Sequence, residues 1–180
     1  IIAANGGGAT TELLRIPPEW NLPGGILEQL GEYAGRQRAI IGDGHLLMIL
    51  QALPQRGESD RDVRCFWRKP DGTWLSHPRA GGVPALDRML KEYEDKIEEL
   101  EELENAAKMS AEYNAVLEEL IPILRAARGV HRAMSQAHGR FPKDRNLLLW
   151  RDDTFELERL AELVYQDAQN GAHLGHFDGQ

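Results

Sequence analysis

Residues 110–139 read SAEYNAVLEELIPILRAARGVHRAMSQAHG, and their spacing decides the fold. Tyr113, Leu117, Leu120, Leu124, Ala127, His131, Met134 and His138 recur at intervals of four and three, the seam of a helix packed against other helices. Val116, Ile123, Val130 and Ala137 widen the apolar face on one flank, so more than one neighbour has to cover it. Ser110 is placed to cap this helix through its hydroxyl. Gly139 ends it. Pro122 should kink it, because proline removes a backbone donor and crowds the preceding turn.

The pattern extends to both sides. Leu86, Leu90, Tyr93, Ile97 and Leu100 form a preceding seam. Trp150, Leu157, Leu160, Val164 and Ala168 form a following one that should stop near Gly171. Short connections force neighbouring helices to run antiparallel. Residues 83–171 are therefore predicted to be a three-helix antiparallel coiled-coil bundle, and 172–180 a flexible tail.

Upstream, the composition changes. Most of the glycines and prolines and three of the four tryptophans precede Val83. Residues 1–22, with Gly6-Gly7-Gly8 and Pro17-Pro18, read as an extended or flexible arm. Ile26, Leu27, Leu30 and Tyr33 predict a short helix that stops near Gly35. Two apolar runs flank Gly42-Asp43-Gly44, a hairpin signal. Val63, Cys65 and Trp67 alternate with Arg64, Phe66 and Arg68, and Lys69-Pro70-Asp71-Gly72 supplies the following turn. Residues 23–82 are thus expected to form a small antiparallel β-sheet module with one short helix, making the whole chain α+β.

The chain has 180 residues, 42% of them hydrophobic and 28% charged, with a net charge of −8. This composition excludes disordered and collagen-like classes. A single cysteine, Cys65, excludes a disulfide framework and a cysteine-rich zinc site, and the thiol is expected to be buried and inert. The longest charge-free run, residues 44–55, is too short to span a bilayer. No signal peptide is visible, and a start at Ile rather than Met points to a processed or trimmed beginning. A cytoplasmic setting and no cofactor are expected.

Charge is unevenly distributed. Residues 87–119 carry twelve acids and four bases, and residues 120–151 one acid and seven bases. Arg125, Arg128 and Arg132 should therefore lie beside Asp152, Asp153 and Glu156 of the third helix. At the other end Glu98, Glu99, Glu101, Glu102 and Glu104 meet Glu112, Glu118 and Glu119, an acidic tip that could receive divalent cations. A solvated helix end is the plainer reading. Net negative charge opposes nucleic-acid binding.

Candidate chemistry is sparse. A metal enzyme would draw on Glu98, Glu101 and Glu102 of the first long helix with Asp152 and Glu156 of the third. The later Glu-x-x-Asp of MazG-type nucleotide pyrophosphatases and the Glu-x-x-His of di-iron bundles are both missing. His131, Ser135 and His138 share a flank, but polar residues on a seam usually set register or line a partner contact. Imidazoles there would make association pH-sensitive. His173, His176 and Asp178 have metal-ligand spacing but sit in a glycine-containing tail. Trp67 and Trp74 flank a turn and are expected to pack across the hairpin, or with Phe66 to form an aromatic ligand patch.

A small α/β module followed by three long antiparallel helices is similar in layout to the cytoplasmic portion of CorA-type divalent-cation transporters. That resemblance implies a soluble relative or detached cation sensor, since the family's Gly-Met-Asn signature and two membrane spans are missing. The residues themselves point to a non-enzymatic interaction protein. It would self-associate as a homo-oligomer or dock a protein partner through His131, Met134 and His138, with Trp67 and Trp74 as further contact candidates.

Overall fold

In the computed structural model, which describes residues 12–57 and 61–178 with side chains as far as Leu174, the hairpin expected around Asp43 is present. Strand β1 (Arg38–Gly42) pairs with β2 (His45–Gln51), and Asp43 and Gly44 make the turn with φ of 54° and 79°. Two successive left-handed residues match the twist of the flanking strands, which is why Asp-Gly closes this hairpin. β3 (Val63–Arg68) and β4 (Trp74–His77) complete a four-stranded antiparallel sheet in the order β1-β2-β3-β4.

Three long helices follow: α2 (Val83–Ala106), α3 (Ser110–Arg140) and α4 (Arg145–Asp178), while α1 (Gly24–Leu27) is a single turn before the sheet. Contacts between α3 and α4 run in opposite senses along the two helices, from Ser110 with Ala172 to His138 with Arg151. α2 reaches α3 at Lys96 and Glu119 and α4 at Asp87 and Trp150. The architecture is α+β with a helical bundle.

The bundle and the sheet share one core. Leu46, Met48, Leu50, Phe66 and Trp74 face the helices and pack with Leu86, Met89, Tyr93, Leu120, Ile123, Met134 and Trp150. This is where the wide face of α3 goes: it lies against β1 and β2 as well as against α2 and α4. Each fully buried Leu, Ile or Met side chain contributes about 1.5–3 kcal/mol, so that face is stabilised from inside the chain. On the sheet's other side, Ile40, Leu47, Ile49, Cys65 and Trp67 are covered by Leu14, Ile16, Trp20, Leu22 and Ile26. β2 is thus apolar on both faces, which explains its unbroken run Leu46–Leu50.

Several expectations change. Residues 12–22 follow the extended alternative and are held to the chain: the Leu14 N–H donates to Glu32 O at 3.0 Å, and Glu12 O accepts from the Ala34 N–H at 2.8 Å. The rest of that arm, 1–11, lies outside the described residues. The expected helix to Gly35 is only the four residues of α1, because Gln29 turns back to donate to Gly25 O and Ile41 O. Ser110 does not cap α3. It is the first helical residue and donates to Ala172 O, while Glu112 accepts the N–H groups of Lys108 and Met109. α3 runs past Gly139 to Arg140, one residue beyond its expected end, with Pro122 inside it. α4 passes through Gly171 to Asp178, so 172–178 is helical. Gly171 serves packing rather than termination, since a Cβ there would collide with the Tyr113 ring.

Candidate functional site

The seam histidines sit between α3 and α4 of the same chain. His131 is half-buried, its Nδ1 3.3 Å from Thr154 Oγ1 and its Nε2 3.4 Å from Ser135 Oγ. His138 Nδ1 accepts from Arg151 at 3.2 Å, and Arg151 also donates to Asp152. Met134 is fully buried. It belongs to the core and cannot be a partner contact, because α4 and the sheet close over that flank. No carboxylate hydrogen-bonds His131 among the described residues, and the nucleophile-and-base arrangement lacks the third group that would orient it.

Trp67 and Trp74 also lie inside the chain, 4% and 9% exposed. They do not pack on each other across the hairpin. Arg68 pairs with Trp74 and Trp67 with Leu75, which sends the two indoles to opposite faces of the sheet. Trp74 meets Trp150 edge-on at 5.1 Å. Trp67 donates to His45 Nδ1 at 3.0 Å and lies 5.4 Å from Trp20. An aromatic patch made of Trp67, Trp74 and Phe66 together is therefore ruled out.

The proposed metal carboxylates are not brought together. Asp87 lies level with Trp150, and Glu104 and Asp167 sense each other's charge, so α2 and α4 run side by side in the same direction. In that register Asp152 and Glu156 fall roughly five to thirteen residues, about 8–20 Å, from the levels of Glu98, Glu101 and Glu102. Glu156 pairs with Arg159 and Asp152 with Arg151. The one carboxylate triad found among the described residues is Glu94, Asp95 and Glu98, all exposed, and Lys91 already pairs with Glu94 and Asp95. Lys96 links Glu99 to Glu119 across the acidic tip. Of the arginine stripe, Arg128 pairs with an α4 acid, Glu162 at 3.2 Å.

The acid that faces α2 is Asp153 rather than Asp152. Partial loss of water pushes its carboxyl above the usual range, and Asp87, Glu94 and Asp152 push the same way. Cys65 is buried as expected, and loss of water raises its thiol to about 12.

The outer face of α4 carries apolar residues outside the heptad seam. Leu148, Leu149, Phe155, Leu163 and Leu174 are 37–61% exposed. At 100° per residue they fall within about one third of the helix circumference. The Phe155 ring lies 5.7 Å from the His131 ring, so His131 borders this stripe. The signal in the sequence was the apolar residues on the last helix that fit no seam position. Among the described residues no helix is long and apolar enough to cross a membrane. The sequence matches no known family model, and no curated protein matches it.

Proposed function

We propose that this chain is a non-enzymatic interaction protein that self-associates through the outer face of α4. The observation that carries the reading is the set of exposed apolar residues Leu148, Leu149, Phe155, Leu163 and Leu174 on one third of the α4 surface, interleaved with the exposed Asp152, Glu156 and Arg159, since exposed apolar residues gathered on one face and bordered by charge tend to mark an interface. A second copy is the occupant favoured by the sequence of the stripe. Phe155 and Glu156 precede Arg159 by four and three residues, and Glu162 and Leu163 follow it by three and four. An antiparallel copy centred on Arg159 would set Phe155 on Leu163 and bring two guanidiniums beside the Glu156 and Glu162 of both copies, Glu162 being also paired with Arg128. A two-fold interface requires such self-complementarity.

Light scattering of the purified chain tests this. The expected mass is a multiple of 20.2 kDa, falling to the monomer in the Phe155→Ser, Leu163→Glu double variant. A wild-type chain that stays strictly monomeric at high concentration removes the self-association reading.

A further inference from the structure

A second surface feature lies at the other side of the molecule and is independent of the α4 stripe. A cleft of about 450 Å³ opens between the segment before α1 and the ends of β2, β3 and β4. Glu19, Trp20, Asn21, His45, Trp67, Lys69 and Leu75 line it. Its volume is in the range of small-molecule sites, which pair an apolar lining with a few convergent polar groups. Here the apolar surface is Trp20, Trp67 and Leu75, and the polar groups are unequal in their roles.

His45 accepts the Trp67 indole N–H on Nδ1 at 3.0 Å, with the rings stacked at 5.8 Å. Committing Nδ1 as an acceptor leaves the proton of the neutral ring on Nε2, so the free nitrogen of His45 is a donor. Lys69 holds its ammonium 5.0 Å from the Trp67 ring centroid. It takes the aromatic face that a cationic ligand would use and adds a second donor, with positive charge. The two donors favour an anion. Glu19 is exposed on the same lining and opposes a second negative charge, which disfavours a phosphate.

We propose that this cleft binds a small aromatic monocarboxylate, its ring against Trp20 and Leu75 beside Trp67 and its carboxylate received by Lys69 and the Nε2–H of His45. Asn21 and Glu19 form the outer rim.

The probe is 3-phenylpropionate, titrated against the full chain while the four indole N–H resonances are followed by NMR, with 3-phenylpropanamide and phenyl phosphate as the neutral and dianionic comparisons. The expected result is a saturable shift of the Trp20 and Trp67 signals with Trp74 and Trp150 unmoved. The amide and the phosphate should each bind about tenfold more weakly, the effect of losing one charge-assisted hydrogen bond or adding one repulsion. Lys69→Met should abolish the preference for the carboxylate over the amide, and unmoved Trp74 and Trp150 signals would show that this variant is folded. Absence of a saturable shift through the low-millimolar range overturns the proposal. So does a Lys69→Met chain that keeps the preference, or tighter binding of the phosphate.

Discussion

Arg68 Nε lies 2.6 Å from Asp144 Oδ2, joining the last residue of β3 to the residue just before α4. The same carboxylate accepts the Leu147 N–H on Oδ1 at 2.9 Å, so Asp144 caps α4 while it holds the sheet. The Arg68 guanidinium also lies over the Phe141 ring at 4.7 Å. Their side chains are 15% and 6% exposed, so the pair is largely out of water. Removing one partner of such a pair costs more than the pair contributes, because the other charge stays buried. Asp144→Ala is expected to lower unfolding stability by about 3–5 kcal/mol in urea titration. Asp144→Asn should lose less, since asparagine still caps.

Trp74 and Trp150 form one aromatic pair but differ in their N–H groups. Trp150 Nε1 donates to Asp87 at 2.7 Å, whereas Trp74 Nε1 is buried without a partner among the described residues. Both would leave a similar void on truncation to phenylalanine. Trp150→Phe also loses a hydrogen bond to a charged group, and Trp74→Phe removes an unsatisfied donor. The first variant should therefore be less stable than the second by about 1–2 kcal/mol in chemical denaturation.

Alkaline pH should unfold this protein through buried neutral groups. The Cys65 thiol is raised from 9.0 to about 12 by burial, and burial also raises the Tyr93 hydroxyl, which donates to Gln51 O at 2.7 Å. A raised folded pKa gives stability that is present in full below the unfolded value and lost as pH climbs through the folded one. The thiol's share is thus lost between pH 9 and about 12, at about 1.4 kcal/mol per pH unit. Cys65→Ala should flatten that decline in denaturation midpoints. Ellman's reagent should leave Cys65 unmodified until the chain is unfolded.

Asp153 acts in the opposite pH range by the same sign rule. Asp153 is exposed, and its carboxyl is raised by partial loss of water and by Asp87, Glu94 and Asp152. The associated stability is present below its ordinary value of 3.8 and lost as pH rises through the folded value. Asp153→Asn is expected to raise the melting temperature at neutral pH, and the difference from wild type should vanish on acidification. An unchanged neutral-pH melting temperature would contradict the crowding of acids between α2 and α4.

Gly129 faces Gln37, where a Cβ would collide with the amide. Gln37 donates to Ala126 O at 3.0 Å and accepts the Gln51 N–H at 2.9 Å, bridging β2 to α3. Gly129→Ala should destabilise the fold although alanine is the better helix former by about 1 kcal/mol. Gln37→Ala in the same chain should recover part of the loss, which thermal unfolding of the single and double variants would show.

The elements themselves were legible from local spacing. Heptad intervals marked α2, α3 and α4, alternation marked β3, and Asp43-Gly44 marked the first hairpin, because a helix or strand face repeats at a period fixed by backbone geometry. The apolar flank Val116, Ile123, Val130 and Ala137 also announced that α3 needed several neighbours. Which neighbours was decided by tertiary structure: β1 and β2 cover that face together with α2 and α4, so Met134 is core, His138 is bonded to Arg151, and of these three only His131 borders the exposed stripe. Gly171 looked like a helix stop because nothing local shows the Tyr113 ring lodged against it. The α4 stripe left only the trace of apolar residues that fit no seam position, and the cleft of Trp20, His45, Trp67 and Lys69 was hidden for the same reason. Exposure and convergence are properties of surfaces that meet across long separations in the chain, and periodicity describes one element at a time.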